Sequence, residues 1–167
     1  MKVLLVNGSP NENGCTRRAL LEIEKVLAEY KIETEVFNIG ADAIPSCIGC
    51  RACRELGKCF IDDKVNEFVE KAKTADGFIF GSPVYYAGAN GTLTAFMDRV
   101  FYSDRCAKTN VFAFKPAAAV ASARRAGTTP TLDQINRFFE IASMPIATST
   151  YWNEVHGNLS EEVEQDG

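Results

Sequence analysis

A chain of 167 residues with 46% hydrophobic and 24% charged residues has the length and composition of one globular domain with a sizeable core, which argues against both disorder and a membrane span. A formal net charge of -4 offers nothing to nucleic acid, and the apolar run Val3 to Val6 breaks at Asn7-Gly8, too short for the core of a secretory leader. The expected setting is cytoplasmic, where clustered cysteines bind metal or do redox work more often than they form disulfides.

Val3 to Val6 reads as a buried strand, and 7 to 14 is a dense cluster of turn formers. A helix from Thr16 to Tyr30 follows, with Leu20, Ile23, Leu27 and Tyr30 at helical spacing and Thr16 as its N-cap. Thr34 to Ile39 is a second strand, and 41 to 60 is a cysteine-rich loop. Asp62-Asp63 opens a helix whose Val65, Phe68, Val69 and Ala72 share one face, the carboxylates suiting the positive end of the helix dipole. Gly77 to Gly81 is the third strand, Ser82 to Gly88 its exit loop, and Asn90 to Tyr102 a helix. Pro116 to Ser122 is a small-residue strand, 124 to 129 its exit loop, Thr131 to Ala142 a helix facing inward through Leu132, Ile135, Phe138 and Phe139, and Ile146 to Tyr151 the fifth strand.

Alternation of strand and helix predicts an α/β fold in a single domain, 1 to 167, with helices on both faces of a parallel sheet. Five strands match the doubly wound flavodoxin-like order 2-1-3-4-5, whose ligands bind beyond the carboxyl ends of the strands at the switch between strands 1 and 3. The loops gathered there, 7 to 16, 82 to 88 and 122 to 129, are rich in Gly, Ser, Asn and Arg. Ser9, Asn13, Gly14, Cys15 and Thr16 form a candidate phosphate cradle at a helix N-terminus. The loop lacks both the Gly-Lys-Ser/Thr of a Walker sequence and the G-x-G-x-x-G of a dinucleotide fold, which favours a mononucleotide. Pro83, Tyr85, Tyr86 and Gly88 suit a flat ring, and Arg124 or Arg125 could stabilise negative charge on it.

Cys47, Cys50, Cys53 and Cys59 stand in the run C-x2-C-x2-C-x5-C, similar to compact iron-sulfur sequences in which neighbouring thiolates share one cluster. Arg51, Arg54 and Lys58 among them would offset its negative charge. Zinc and unligated or oxidised thiols are the alternatives; structural zinc more often draws its ligands from two separated knuckles. Cys106 reads as a spare thiol, and His156, the only histidine, as a surface or subunit-contact residue.

V-N-G-S-P-N-E-N-G at the start, the cysteine run with Asp62-Asp63, A-D-G-F-I-F-G-S-P-V-Y-Y, and L-T-A-F-M-D-R from Leu93 to Arg99 together resemble the NADPH-dependent FMN reductase and flavodoxin-like oxidoreductase superfamily, within it the iron-sulfur flavoproteins. The resemblance implies that Ser9, Asn11, Asn13, Cys15 and Thr16 hold the phosphate of FMN. It places Pro83, Val84, Tyr85, Tyr86 and Gly88 along the isoalloxazine, with Ser122, Arg124 and Gly127 at its pyrimidine side. It implies a 4Fe-4S cluster on Cys47, Cys50, Cys53 and Cys59, NAD(P)H or ferredoxin as electron donor, a small-molecule or protein acceptor, no membrane or nucleic-acid partner, and a homodimer or homotetramer. Members carry a further C-terminal helix, so the expectation is that the natural chain continues past Gly167. The expected activity is a flavin-dependent oxidoreductase of NAD(P)H-dependent FMN reductase type, whose chemistry resides on the flavin. The contrasting class is a flavodoxin-like electron carrier or a cysteine-based redox sensor without turnover.

Overall fold

The computed structural model describes residues 1 to 165. Strands β1 (Lys2–Asn7), β2 (Glu33–Asn38), β3 (Gly77–Tyr85), β4 (Gly88–Ala89), β5 (Ala117–Ala123) and β6 (Glu154–His156) form a sheet of order β2-β1-β3-β5-β6, with β4 returning along β3 as an antiparallel hairpin. All other pairings are parallel, so with the hairpin set aside the order is the expected 2-1-3-4-5. Helices α1 (Cys15–Glu29), α2 (Cys53–Leu56), α3 (Lys64–Ala72), α4 (Gly91–Ala107) and α5 (Thr128–Ile141) intervene, and a 3-10 helix spans Ser160–Gln165. Among the described residues no helix is long and apolar enough to cross a membrane. The expectation of a further helix after Gly167 falls outside the described residues.

The period-2 alternation of the strands sorts the two faces. Leu4, Val6, Phe78, Phe80, Ala117, Ala119 and Ala121 join one core with Phe68 of α3, Phe96 of α4 and Phe139 of α5. Phenylalanine rings interlock through it, with Phe68 and Phe96 centroids 5.2 Å apart edge-on and Phe78 and Phe112 at 5.1 Å. On the other face α1 lies against β3 and β5. That approach needs Gly81, since a Cβ there would sit 2.8 Å from Thr16 Cγ2. The alanine run of β5 serves the first face in the same way, because small side chains let helices approach.

Three local expectations are corrected. Thr16 is not the N-cap of α1: Gly14 holds that position with no side-chain cap, and Thr16 lies buried inside the first turn. Tyr30 is not the last residue of the helix, which ends at Glu29; it is the exposed C-cap. The fifth strand is not Ile146 to Tyr151. Ile146 makes one isolated bridge to Ala117, the chain then leaves the sheet, and it rejoins β5 only at β6. Asn153 closes the gap by donating its side-chain amide to the Ala119 carbonyl at 3.2 Å, in place of a backbone N–H. The detour walls a cavity of 440 Å³ with Leu132, Asn136, Thr148 and Trp152.

Candidate functional site

The three switch-point loops meet. Gly8 N–H donates to the Gly81 carbonyl at 2.8 Å; Thr16 and Ser122 hydroxyls lie 2.7 Å apart; Pro83 pairs with Ser122 in register. Gly127, at φ +98°, leaves space for the hairpin tip, since a Cβ there would lie 2.8 Å from Ala87 Cα. These contacts bring Ser9, Thr16, Pro83, Val84, Ser122 and Gly127 to one end of the sheet.

The first loop shapes itself. Asn7 Oδ1 accepts from Ser9 N–H, Ser9 Oγ from Asn11 N–H, and Asn11 Oδ1 from Asn13 N–H, each two residues on, the side-chain-to-backbone turn these residue types favour. The ladder delivers the chain to Gly14 in extended conformation. The first-turn N–H groups of Cys15, Thr16 and Arg17 have no carbonyl one turn before them, and no side chain caps the helix. Donors plus the positive helix end suit a dianionic phosphate. The Cys15 side chain turns away, its Sγ on the Gly157 carbonyl at 3.4 Å, and burial pushes its thiol up. Cys15 therefore offers the loop its backbone.

The second loop is a hairpin. Ser82 and Pro83 continue β3, Tyr85 pairs with Gly88, and Tyr86 and Ala87 form a two-residue turn with φ of +50° and +58°. Two positive φ values match the twist of hairpin strands but favour Gly or Asn. Tyr86 is fully exposed and Tyr85 half exposed. The base of the hairpin is rigid: buried Ser82 accepts from Asn90 N–H at 3.0 Å, Asn90 caps α4 by accepting from Thr92 and Leu93, and Gln134 accepts from Ala89 N–H at 2.9 Å. Arg124 and Arg125 are exposed at the rim. The first loop thus presents backbone donors at a helix N-terminus, and the second a fixed hairpin base with its tyrosines exposed.

Cys47, Cys50, Cys53 and Cys59 line one narrow cavity with Ile48, Phe60, Ile61, Arg99 and Tyr102. Cys47 and Cys50 are exposed, Cys59 half-buried, and Cys53, which opens α2, buried. Burial, and then the neighbouring Cys106 thiol, pushes the Cys53 thiol up to about 11. Among the described residues no three Cys, His, Asp or Glu side chains stand close enough for a ready metal cage. The donor set still fits a thiolate-bound cluster in chemistry: four cysteines line one narrow space, and a buried guanidinium donates to the sulfur of one of them. Arg99 is 1% exposed. Its Nε and Nη2 each lie 3.3 Å from Cys59 Sγ, and its fork grips Asp63 at 2.5 and 2.9 Å. Burial opposes the Arg99 charge, but its hydrogen bonds to Asp63 and Cys59 outweigh that and hold the pKa above its already high ordinary value. Asn66 fastens the loop end by donating to the Cys59 and Ile61 carbonyls, and Lys64 fastens its start at the Ile39 carbonyl.

Sequence reasoning missed Arg99, Asn66, Asn90 and Gln134 as organisers. Arg99 had a readable signal: it follows Phe96 by three residues on α4, so a charge stands on the stripe occupied by apolar side chains. The others act through single hydrogen bonds that leave no periodic trace.

Residues 1–158 match the model of the NADPH-dependent FMN reductase family. The chain is 39% identical over 150 residues to an iron-sulfur flavoprotein of Methanocaldococcus jannaschii, covering 86% of this chain and 74% of that one. It is 29% identical over 167 residues to an iron-sulfur flavoprotein of Methanosarcina thermophila, covering 97% and 85%. In fold it is similar to the NAD(P)H:quinone oxidoreductase of Methanothermobacter marburgensis, with a TM-score of 0.70 at 16% identity over 95% of this chain and 88% of that one. With its switch-point loops and cysteine run in this frame, the chain belongs to the NADPH-dependent FMN reductase family, among the iron-sulfur flavoproteins, as a flavin-dependent oxidoreductase.

Proposed function

We propose that this oxidoreductase takes electrons from NAD(P)H or a ferredoxin-type carrier and delivers them to a small-molecule or protein acceptor, with FMN and an iron-sulfur cluster as resident cofactors. The observation that carries the reading is the convergence of three loops around an uncapped helix N-terminus at the switch point. Ser9, Asn11, Asn13 and Gly14, with the first-turn N–H groups of Cys15 and Thr16, would hold the phosphate. Pro83, Val84, Tyr85, Tyr86 and Gly88 would position the ring, and Ser122, Arg124 and Gly127 its polar edge. Bound FMN would supply hydride and one-electron chemistry, and a cluster one-electron chemistry. The chain's task is then to bind, orient and exclude water, and no Ser-His-Asp set is needed. Exposed Tyr86 leaves one side of the hairpin open to a second substrate or to a subunit of a homodimer or homotetramer.

Support for the cluster comes from four cysteines lining one cavity and a buried cation beside Cys59. The test is purification without oxygen, a visible spectrum, and assays of FMN, iron and acid-labile sulfide. FMN near one per chain, with iron and sulfide in equal amounts, is expected. Flavin without iron after reconstitution would remove the cluster and leave the reductase, while bleaching by NAD(P)H alone would identify nicotinamide as a sufficient donor. Absence of both groups would sink the proposal.

A further inference from the structure

Burying a guanidinium costs several kcal/mol unless anions surround it. Asp63 supplies one of them to Arg99, at 2.5 and 2.9 Å, and the Ile61 carbonyl accepts from Nη2 at 2.9 Å. The remaining edge is spent on sulfur: Nε and Nη2 both point to Cys59 Sγ at 3.3 Å. A neutral thiol is a weak acceptor, whereas a sulfur carrying negative charge makes a charge-assisted bond. Arg51 and Arg54 are exposed, and Lys58 is exposed and paired with Asp62, so water and salt screen them. Arg99 acts where the dielectric is low.

We propose, resting on the cluster reading above, that Arg99 is a positioning residue: it orients Cys59 as a ligand and, balanced by Asp63, sets the reduction potential of the cluster. Reduction adds one negative charge. A buried cation beside a ligand sulfur stabilises the reduced form, and a carboxylate on the far side of that cation tempers it. Removing each partner should therefore shift the potential in opposite directions, which a merely structural role would not do.

The experiment uses the whole chain, reconstituted anaerobically with iron and sulfide, and a spectroelectrochemical titration read by electron paramagnetic resonance, beside iron, sulfide and FMN content. Arg99→Gln should lower the potential by at least a tenfold change in the reduction equilibrium, about 59 mV for one electron. Asp63→Asn should raise it, and it keeps the helix cap because Asn caps as well as Asp. Lys58→Gln removes the same unit charge from the exposed rim and should shift the potential less than Arg99→Gln. Arg99→Gln with full iron and a shift no larger than that of Lys58→Gln would overturn the inference, as would Asp63→Asn moving the potential downward. If Arg99→Gln does not fold, Asp63→Asn decides: an upward shift supports the inference, and no shift or a downward one defeats it. A wild-type chain that binds FMN but takes up no iron and sulfide would defeat the cluster reading itself, an outcome distinct from iron retained at an unmoved potential.

Discussion

At the hairpin tip, Tyr86 and Ala87 hold φ values of +50° and +58°, a region costing non-glycine residues about 1–2 kcal/mol each. Such strain persists only where surroundings enforce it. Here β3 and β4 pair on either side of the tip, and Gly127 lies directly against Ala87. Ala87→Gly should therefore stabilise the chain, by about 0.5 kcal/mol after the added freedom of the unfolded glycine is subtracted. The expected rise in thermal midpoint is about 1–2 °C for a domain of this size. Gly127→Ala should act in the opposite sense, because it introduces both strain at φ +98° and a 2.8 Å clash. A differential scanning measurement on both variants checks the pair, and destabilisation by Ala87→Gly would show that the alanine methyl is a packing contact outweighing its backbone strain.

Among the elements, β1, β3 and β5 were legible because each is a short apolar run bounded by turn formers, and α3 because Asp63 both caps it and precedes Val65, Phe68, Val69 and Ala72 at helical spacing. That the loops after β1, β3 and β5 meet at one end of the sheet was legible because topology, rather than any single motif, dictates where they collect. The fifth strand was not. Ile146 to Tyr151 has the β-branched content of a strand, yet Thr148, Ser149, Thr150 and Tyr151 are exposed, while Glu154–His156 is too short to show a period. Propensity lost there to a side-chain amide: Asn153 satisfies Ala119 and frees the segment between. Thr16 misled for a related reason, its hydroxyl being committed to Ser122 in the interior. Asn90 shows what a functional cap does. It accepts from Thr92 N–H at 2.7 Å and Leu93 N–H at 3.3 Å while its own N–H fixes Ser82. Asn90→Ala should lower stability by about 1–2 kcal/mol, seen as a lower urea midpoint at unchanged slope, and Asn90→Asp should restore most of it. An unchanged midpoint in Asn90→Ala would mean that α4 is held by its buried Phe96 stripe without need of its cap.

For the molecule as a whole, the sheet is unequal in its attachment. β1, β3 and β5 each have a strand on both sides, and Leu4, Leu5, Phe80 and Ala121 are fully buried. The C-terminal segment from 146 onward is held to β5 by the bridge at Ile146, the hydrogen bonds of Asn153 to Ala119 and Ala121 and the three paired residues of β6, and to α1 by contacts that include Cys15 to the Gly157 carbonyl and Arg18 to Glu164. Val163 is buried, but Tyr151, Trp152 and Leu159 are exposed. Few buried apolar groups mean low local stability. Amides of Glu154 and Gly157 should exchange at least tenfold faster than those of Leu5 and Phe80, a difference of about 1.4 kcal/mol in opening free energy. The Gly157 carbonyl is tied to the first residue of α1, the helix whose N-terminus forms the proposed phosphate site. A ligand ordering that turn stabilises whatever is coupled to it, so saturating FMN should slow exchange at Gly157 by a larger factor than at Leu5. Equal slowing at both amides would mean that the segment opens only with the whole sheet, and that the break in the fifth strand leaves cooperativity intact.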